Sequence, residues 1–241
     1  RLFGFRLPLN FNSPYKASSI ADFWRRWHIT LSRFIRDYIY IPLGGGRRGE
    51  ARRYANLLLT MLLCGLWHGA GWTFILWGGL HGAYLSLHHA WTRVAARLGL
   101  ERRNEEAWWR GVAIALTFES VVAGWVLFRA RTLDAAGRVL ASMAGWNGFD
   151  LSLPFSRTES LATIGLMLAL VWALPNTQEW LGRYVAHAQA GRYVVRRRIG
   201  SRALRRLAWR PTLFWAVCCA ALLAAGYVGL SGATEFIYYR F

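Results

Sequence analysis

The strongest constraint on this chain is a stretch without charge. From residue 55 to residue 91 there is no Asp, Glu, Lys or Arg. That length allows two short bilayer crossings, or one crossing and a re-entrant piece, since about 20 apolar residues span the hydrocarbon core. In its middle stands Cys64-Gly65-Leu66-Trp67-His68-Gly69-Ala70-Gly71-Trp72. An ionisable side chain at membrane depth is costly and is a functional-site candidate by default. Gly65, Gly69 and Gly71 weaken a helix around His68. Interrupted helices at that depth are tolerated where they line a cavity or pack on protein. His81 follows in Trp77-Gly78-Gly79-Leu80-His81-Gly82, while His88 and His89 near the end of the run read as interfacial.

The rest of the chain repeats this alternation of apolar and basic blocks. Of 241 residues 55% are hydrophobic, against about 45–50% for soluble domains even with glycine counted. Further spans are expected over 111–128, which contains Glu119, over 159–174, which Pro175-Asn176 ends, and over 212–230. The expected class is therefore all-α, a polytopic membrane protein. Net charge is +18, almost all arginine, with Lys16 the only lysine. Segments 93–110 and 183–210, the latter with nine arginines and no acid, suit cytoplasmic loops facing anionic headgroups. Basic blocks spaced by apolar spans speak against nucleic acid as a partner. Segment 129–157 mixes Arg129, Arg131, Arg138 and Arg157 with Asp134 and Asp150, suits the opposite side, and holds a short helix over 133–143. Cys64, Cys218 and Cys219 lie in apolar runs and read as small core residues, with neither disulfide nor metal spacing. No signal peptide is visible. The opening Arg1-Leu2-Phe3-Gly4-Phe5 suggests a fragment with spans upstream. We expect 1–241 to be a single membrane-embedded domain.

Before the uncharged run lies an amphipathic segment. Residues 1–17 are punctuated by Pro8, Asn10, Asn12 and Pro14 and read as irregular. Ser19 followed by Asp22 forms a capping pair for a helix expected over 20–40. At helical spacing Phe23, Trp24, Trp27, Leu31, Phe34, Ile35 and Tyr38 share one face, and Arg25, Arg26, Arg33 and Arg36 the other. Such a helix suits the headgroup boundary, with His28 at the rim of its apolar face. The loop Pro42-Leu43-Gly44-Gly45-Gly46-Arg47-Arg48-Gly49 is either a flexible cytoplasmic turn or a phosphate cradle. It lacks the Lys-Ser/Thr ending of nucleotide-hydrolysing loops.

His68 is the foremost candidate for chemistry. A neutral imidazole accepts a proton from a hydroxyl near neutral pH, and burial keeps it uncharged. The other reading is a core histidine bonded to a backbone carbonyl. Metal ligation has no supporting motif, and a serine hydrolase lacks its Gly-x-Ser-x-Gly elbow. Axial haem ligation by His68 and His81 on different helices is a further reading, and the glycine break between them speaks against a continuous haem-binding helix.

Two stretches carry a resemblance to a known family. Phe23-Trp24-Arg25-Arg26-Trp27-His28-Ile29-Thr30-Leu31-Ser32, continued by Arg36-Asp37-Tyr38-Ile39-Tyr40-Ile41-Pro42-Leu43-Gly44-Gly45, resembles the signature of membrane-bound O-acyltransferases. Gly65-Leu66-Trp67-His68-Gly69-Ala70-Gly71-Trp72, running on to His81-Gly82, resembles their histidine segment. Phe128-Arg129-Ala130, Pro175-Asn176-Thr177-Gln178-Glu179 and Glu235-Phe236-Ile237-Tyr238-Tyr239 add to the likeness. It is strongest to the bacterial branch that modifies envelope polymers, such as alginate, and it points to a C-terminal half.

The resemblance implies tilted transmembrane helices and interfacial amphipathic helices around a central tunnel. It also implies that His68 is the catalytic histidine and His28 the second one. The implied reaction passes an acyl group from a cytoplasmic acyl-CoA or acyl-carrier thioester, with no tightly bound cofactor and no metal. The acceptor would be an exported polysaccharide. A periplasmic acetyltransferase partner, membrane lipids and a bacterial inner-membrane location follow from the same likeness. The contrasting expectation is a non-catalytic channel or transporter for a lipid or polymer.

Overall fold

The computed structural model describes residues 8–100, 106–148, 155–180 and 209–230. The sequence readings for residues 183–208 and for the 235–241 tail lie outside the described residues. The chain divides into two units, Arg1–Ala173 and Leu174–Phe241. All regular structure among the described residues is helical. The first unit holds α1 (Ile20–Arg26), α2 (Ile29–Ile35), α3 (Glu50–His68), α4 (Trp72–Arg97), α5 (Ala107–Arg129), α6 (Leu133–Met143) and α7 (Phe155–Ala173). The second holds α8 (Thr177–Trp180) and α9 (Leu213–Leu230).

The uncharged run folds as an antiparallel hairpin of α3 and α4, and glycine is what lets the two helices meet. A Cβ on Gly65 would stand 2.2 Å from the Phe74 carbonyl oxygen, and one on Gly78 2.2 Å from that of Met61. On Gly82 it would stand 2.9 Å from the Leu58 Cα. Close backbone approach through small residues is a common way for helices to pack in lipid. Of the glycines expected to weaken the helix, Gly65 thus lies inside α3 as part of the seam. Gly69 and Gly71 make the turn, and the Gly69 N–H donates to the Leu66 carbonyl at 3.2 Å.

The segment expected to be one helix over 20–40 is broken. Ser19 does cap α1, its Oγ accepting the Asp22 N–H at 3.1 Å. The break falls at Trp27 and His28, where the chain turns extended and then left-handed (His28 φ 41°, ψ 55°). Residues 8–13 strap across this joint. Ile29 N–H donates to the Asn10 carbonyl at 2.9 Å, and Thr30 donates to Asn10 Oδ1 from both N–H (3.2 Å) and Oγ1 (2.9 Å). These bonds satisfy the first N–H groups of α2, which a continuous helix would have used internally. The break also rotates the apolar face, so Phe34 and Tyr38, expected to share a face with the buried Phe23, are exposed. After α2 the chain makes a π turn (Arg36–Tyr40), in which the Arg36 guanidinium beside Asp37 holds that carboxyl below its usual range.

α5 packs on α4 and on α1. Its Glu119, inside the span expected over 111–128, is exposed. The short helix expected over 133–143 is α6, capped by Thr132, whose Oγ1 accepts the Ala135 N–H at 3.1 Å. α7 reaches the leading segment through Trp172 Nε1, which donates to the Tyr15 carbonyl at 3.0 Å. In the second unit, Pro175-Asn176 ends one helix and starts another. Asn176 N–H donates to Glu179 Oε2 (3.0 Å) and Glu179 N–H to Asn176 Oδ1 (2.8 Å), a reciprocal cap on α8.

The core is mostly apolar, yet it takes in several polar side chains and leaves many large apolar ones outside. Asn56, Thr60, Thr73, His81 and Thr117 are buried, while Leu66, Trp67, Trp72, Leu87 and Leu116 face outward. Among the described residues α5, with 23 residues, is the helix long and apolar enough by itself to cross a membrane. α3 and α4, with 19 and 26 residues, have the length but carry charge at one end and polar side chains along the seam.

Candidate functional site

The site lies at the turn end of the hairpin. His68 is the last residue of α3 and is half-buried. Its ring is caged by Trp67 (centroids 4.9 Å), Trp77 (5.2 Å, 87°) and Phe128 (5.0 Å, 81°). Phe128 comes from the far end of α5 and also packs on Phe74 and Trp77 at 5.0 and 5.2 Å. Edge-on aromatic walls fix the imidazole plane while leaving part of it accessible.

His28, from the joint between α1 and α2, approaches the same place. The two imidazoles are close enough for His28 to act electrostatically on His68. The Nδ1 of His28 is buried without a hydrogen-bond partner, and Phe11 lies 6.1 Å from its ring. A non-glycine residue at φ 41° costs on the order of 1–3 kcal/mol and persists only where its surroundings impose it. The Asn10 strap supplies that constraint. The structure therefore places the two histidines singled out in the sequence within electrostatic reach of each other, without direct contact between their rings.

His81 is different. It is 0% exposed and sits among Trp24 (5.3 Å), Trp77 (5.0 Å), Phe23 (6.4 Å) and Tyr84 (5.9 Å). Both of its ring nitrogens lack partners, and a Cβ on Gly124 would lie 2.9 Å from its Nε2. His88 and His89 lie further along α4, at the opposite end of the hairpin from His68. Cys64 is buried in the core. Among the described residues no cluster of His, Cys, Asp and Glu could hold a metal ion. Sequence reasoning missed the part played by Trp77 and Phe128 in caging His68. Phe128 belongs to the Phe128-Arg129-Ala130 motif, but nothing local in sequence placed it on the hairpin.

Comparison with known proteins adds independent findings. The sequence model described as MBOAT, membrane-bound O-acyltransferase family, matches residues 1–118. The chain is similar to a peptidoglycan O-acetyltransferase of Helicobacter pylori, 51% identical over 62% of this chain and 27% of that protein. It is similar to a probable alginate O-acetylase of Azotobacter vinelandii, 38% identical over 100% of this chain and 49% of that protein. A teichoic acid D-alanyltransferase of Streptococcus thermophilus is 28% identical over 53% of this chain and 34% of its own length. The chain thus spans about half the length, or less, of the curated relatives it matches.

Proposed function

The chain belongs to the membrane-bound O-acyltransferase family, and from that premise we propose that it carries the histidine centre of an enzyme that O-acetylates an exported polysaccharide. The observation that carries the reading is a half-buried, ring-caged His68 with His28, held in a strained left-handed joint, within electrostatic reach of it. Local strain of this kind concentrates at functional sites.

In this reading His68 is the general base. Its free nitrogen takes the proton of the acceptor hydroxyl as the oxygen attacks the thioester carbonyl. The C–S bond breaks, and the proton passes to the departing thiolate. His28 orients the hydroxyl or polarises the carbonyl. A positioned base contributes about 10²–10⁴-fold, with the remainder from positioning and oxyanion stabilisation.

The acyl group would come from a cytoplasmic acyl-CoA or acyl-carrier thioester, and no bound cofactor is required. The large apolar side chains exposed along the hairpin support a multi-pass protein of the bacterial inner membrane, since large exposed apolar patches mark lipid or partner contact. Residues 1–241 would then belong to one membrane-embedded domain around a tunnel reaching His68. A periplasmic acetyltransferase partner would complete transfer to the polymer. The names of the relatives, which cite alginate, peptidoglycan and teichoic acid, support a cell-envelope acceptor.

The test is ester analysis of exported polysaccharide from cells carrying the full-length protein or its His68→Ala variant. Ester content should fall to background in the variant while membrane insertion is unchanged. Normal acetylation in a correctly inserted variant would overturn the reading in favour of a channel or transporter.

A further inference from the structure

The open end of the α3–α4 hairpin, opposite His68, gathers positive charge from three helices. Arg53 of α3 and Arg93 of α4 lie here, with His88 and His89 beside them and Arg25 of α1 close by. His89 is within electrostatic reach of His88, Arg53, Arg93 and Arg25, and His88 of Arg25. The rings of His88 and His89 are 5.5 Å apart. Arg93 is held in place, its guanidinium 5.5 Å from the Tyr54 ring centroid and paired with Glu50. Its Nη2 is nevertheless buried without a partner. Arg53 packs beneath the glycine loop, where a Cβ on Gly46 would stand 2.6 Å from its Nε.

The acids nearby do not balance this charge. Glu50 is largely exposed and engages Arg93. Asp22 holds Arg26 at 2.8 Å and Arg25 only at 3.7 Å. Like charges assembled by rigid helices repel unless an anion lies among them. The glycine loop cannot supply a backbone cradle through Gly44 and Gly45, because those N–H groups already donate to the Ile41 and Tyr40 carbonyls, each at 2.9 Å. The arginine side chains are therefore the foremost donors for an anion here.

We propose that this end of the hairpin is a binding site for a phosphate group, with Arg53 and Arg93 as its direct donors and Arg25 adding to the positive field around it. Guanidinium groups suit phosphate because their donors form a planar fork. Two sources of that phosphate fit the place: the headgroup of an anionic lipid, or the phosphate portion of a soluble donor. By helical rise Arg53 lies about 22 Å from His68 along α3. A donor anchored here would need an arm of that order to carry a thioester to His68, and this last step rests on the acyltransferase reading; the phosphate site itself does not.

The test uses the full-length protein in a zwitterionic detergent, with inorganic diphosphate as the soluble probe and phosphatidylglycerol against phosphatidylcholine vesicles as the lipid probe. Arg53→Gln and Arg93→Gln should each weaken binding about 10- to 100-fold, the loss expected for one charge-assisted contact. Arg138→Gln, which removes the same charge from α6, should change it little. Glu50→Gln should tighten binding, because it frees Arg93 from its carboxylate; a purely structural role for the pair predicts the reverse. Diphosphate binding with this pattern assigns the site to a soluble phosphate, and the same pattern confined to phosphatidylglycerol assigns it to lipid. Equal binding by Arg53→Gln, Arg93→Gln and Arg138→Gln, or no binding of either probe, overturns the proposal. His68→Ala should bind the probes as the unaltered protein does. Loss of esters with binding retained, or binding lost with esters retained, therefore tells the failure of one proposal from that of the other.

Discussion

His68 and His81 sit on neighbouring helices and share a wall, since Trp77 touches both, at 5.2 and 5.0 Å. Each is ringed by aromatics, and each stands in a Gly/Trp-rich segment. Their surroundings differ in one respect that decides what each can do. His68 ends its helix beside a turn and keeps part of its ring accessible. His81 is mid-helix, with α1 over one face and Gly124 of α5 against Nε2. A base must exchange a proton with something that reaches it, and the sealed ring has no such neighbour. An aromatic cage therefore does not identify a catalytic histidine. Access is what separates these two rings, and it depends on whether a third helix closes over the ring.

The contrast can be broken most sharply at His68 itself. His68→Ala should lower acetylation by about 10²–10⁴-fold, equivalent to roughly 3–5 kcal/mol of transition-state stabilisation. Unfolding in detergent should be little affected. At His81 the effects should exchange places. His81→Ala opens a cavity between α1, α4 and α5 and should destabilise the protein by about 2–4 kcal/mol, read from thermal unfolding. His81→Leu, which restores volume and removes two unpartnered nitrogens, should stay within about 1.5 kcal/mol of the starting protein and keep its activity. A stable His81→Leu protein without acetylation would show that the sealed ring does more than pack. A smaller effect is expected at the joint. His28→Gly removes the cost of a side chain at φ 41° and should leave stability level or raised by about 1 kcal/mol, while acetylation falls. Activity that survives in His28→Gly would leave His68 to act alone.

Several elements are legible in the order of residues. The 133–143 helix, the Ser19 cap and the apolar helix over 111–128 follow from local signals, namely a side-chain acceptor at an N-terminus and a run of apolar residues. The uncharged run is readable as helical, but its glycines have two different uses. Gly69 ends α3 and Gly71 leads into α4, a break in line with expectation; Gly65 sits inside α3 because the Phe74 carbonyl of the facing helix leaves no room for a Cβ there. Periodicity misreads 20–40 as one helix because the Asn10 strap comes from outside the window. The candidate site is legible as two motifs with a histidine in each. The cage is not, since Phe128 contributes to it from the end of a different helix.

Residue order alone determined that this chain is helical, that its basic blocks alternate with apolar ones, and that His68 stands without a charged neighbour in the chain. Those properties are set by composition and spacing over a few turns. Tertiary structure alone decided which histidine is reachable, which pair approaches, and where the arginines converge. Each of these depends on contacts between residues far apart in sequence, and a backbone approach as close as that of Gly78 to Met61 becomes visible only once the helices have packed.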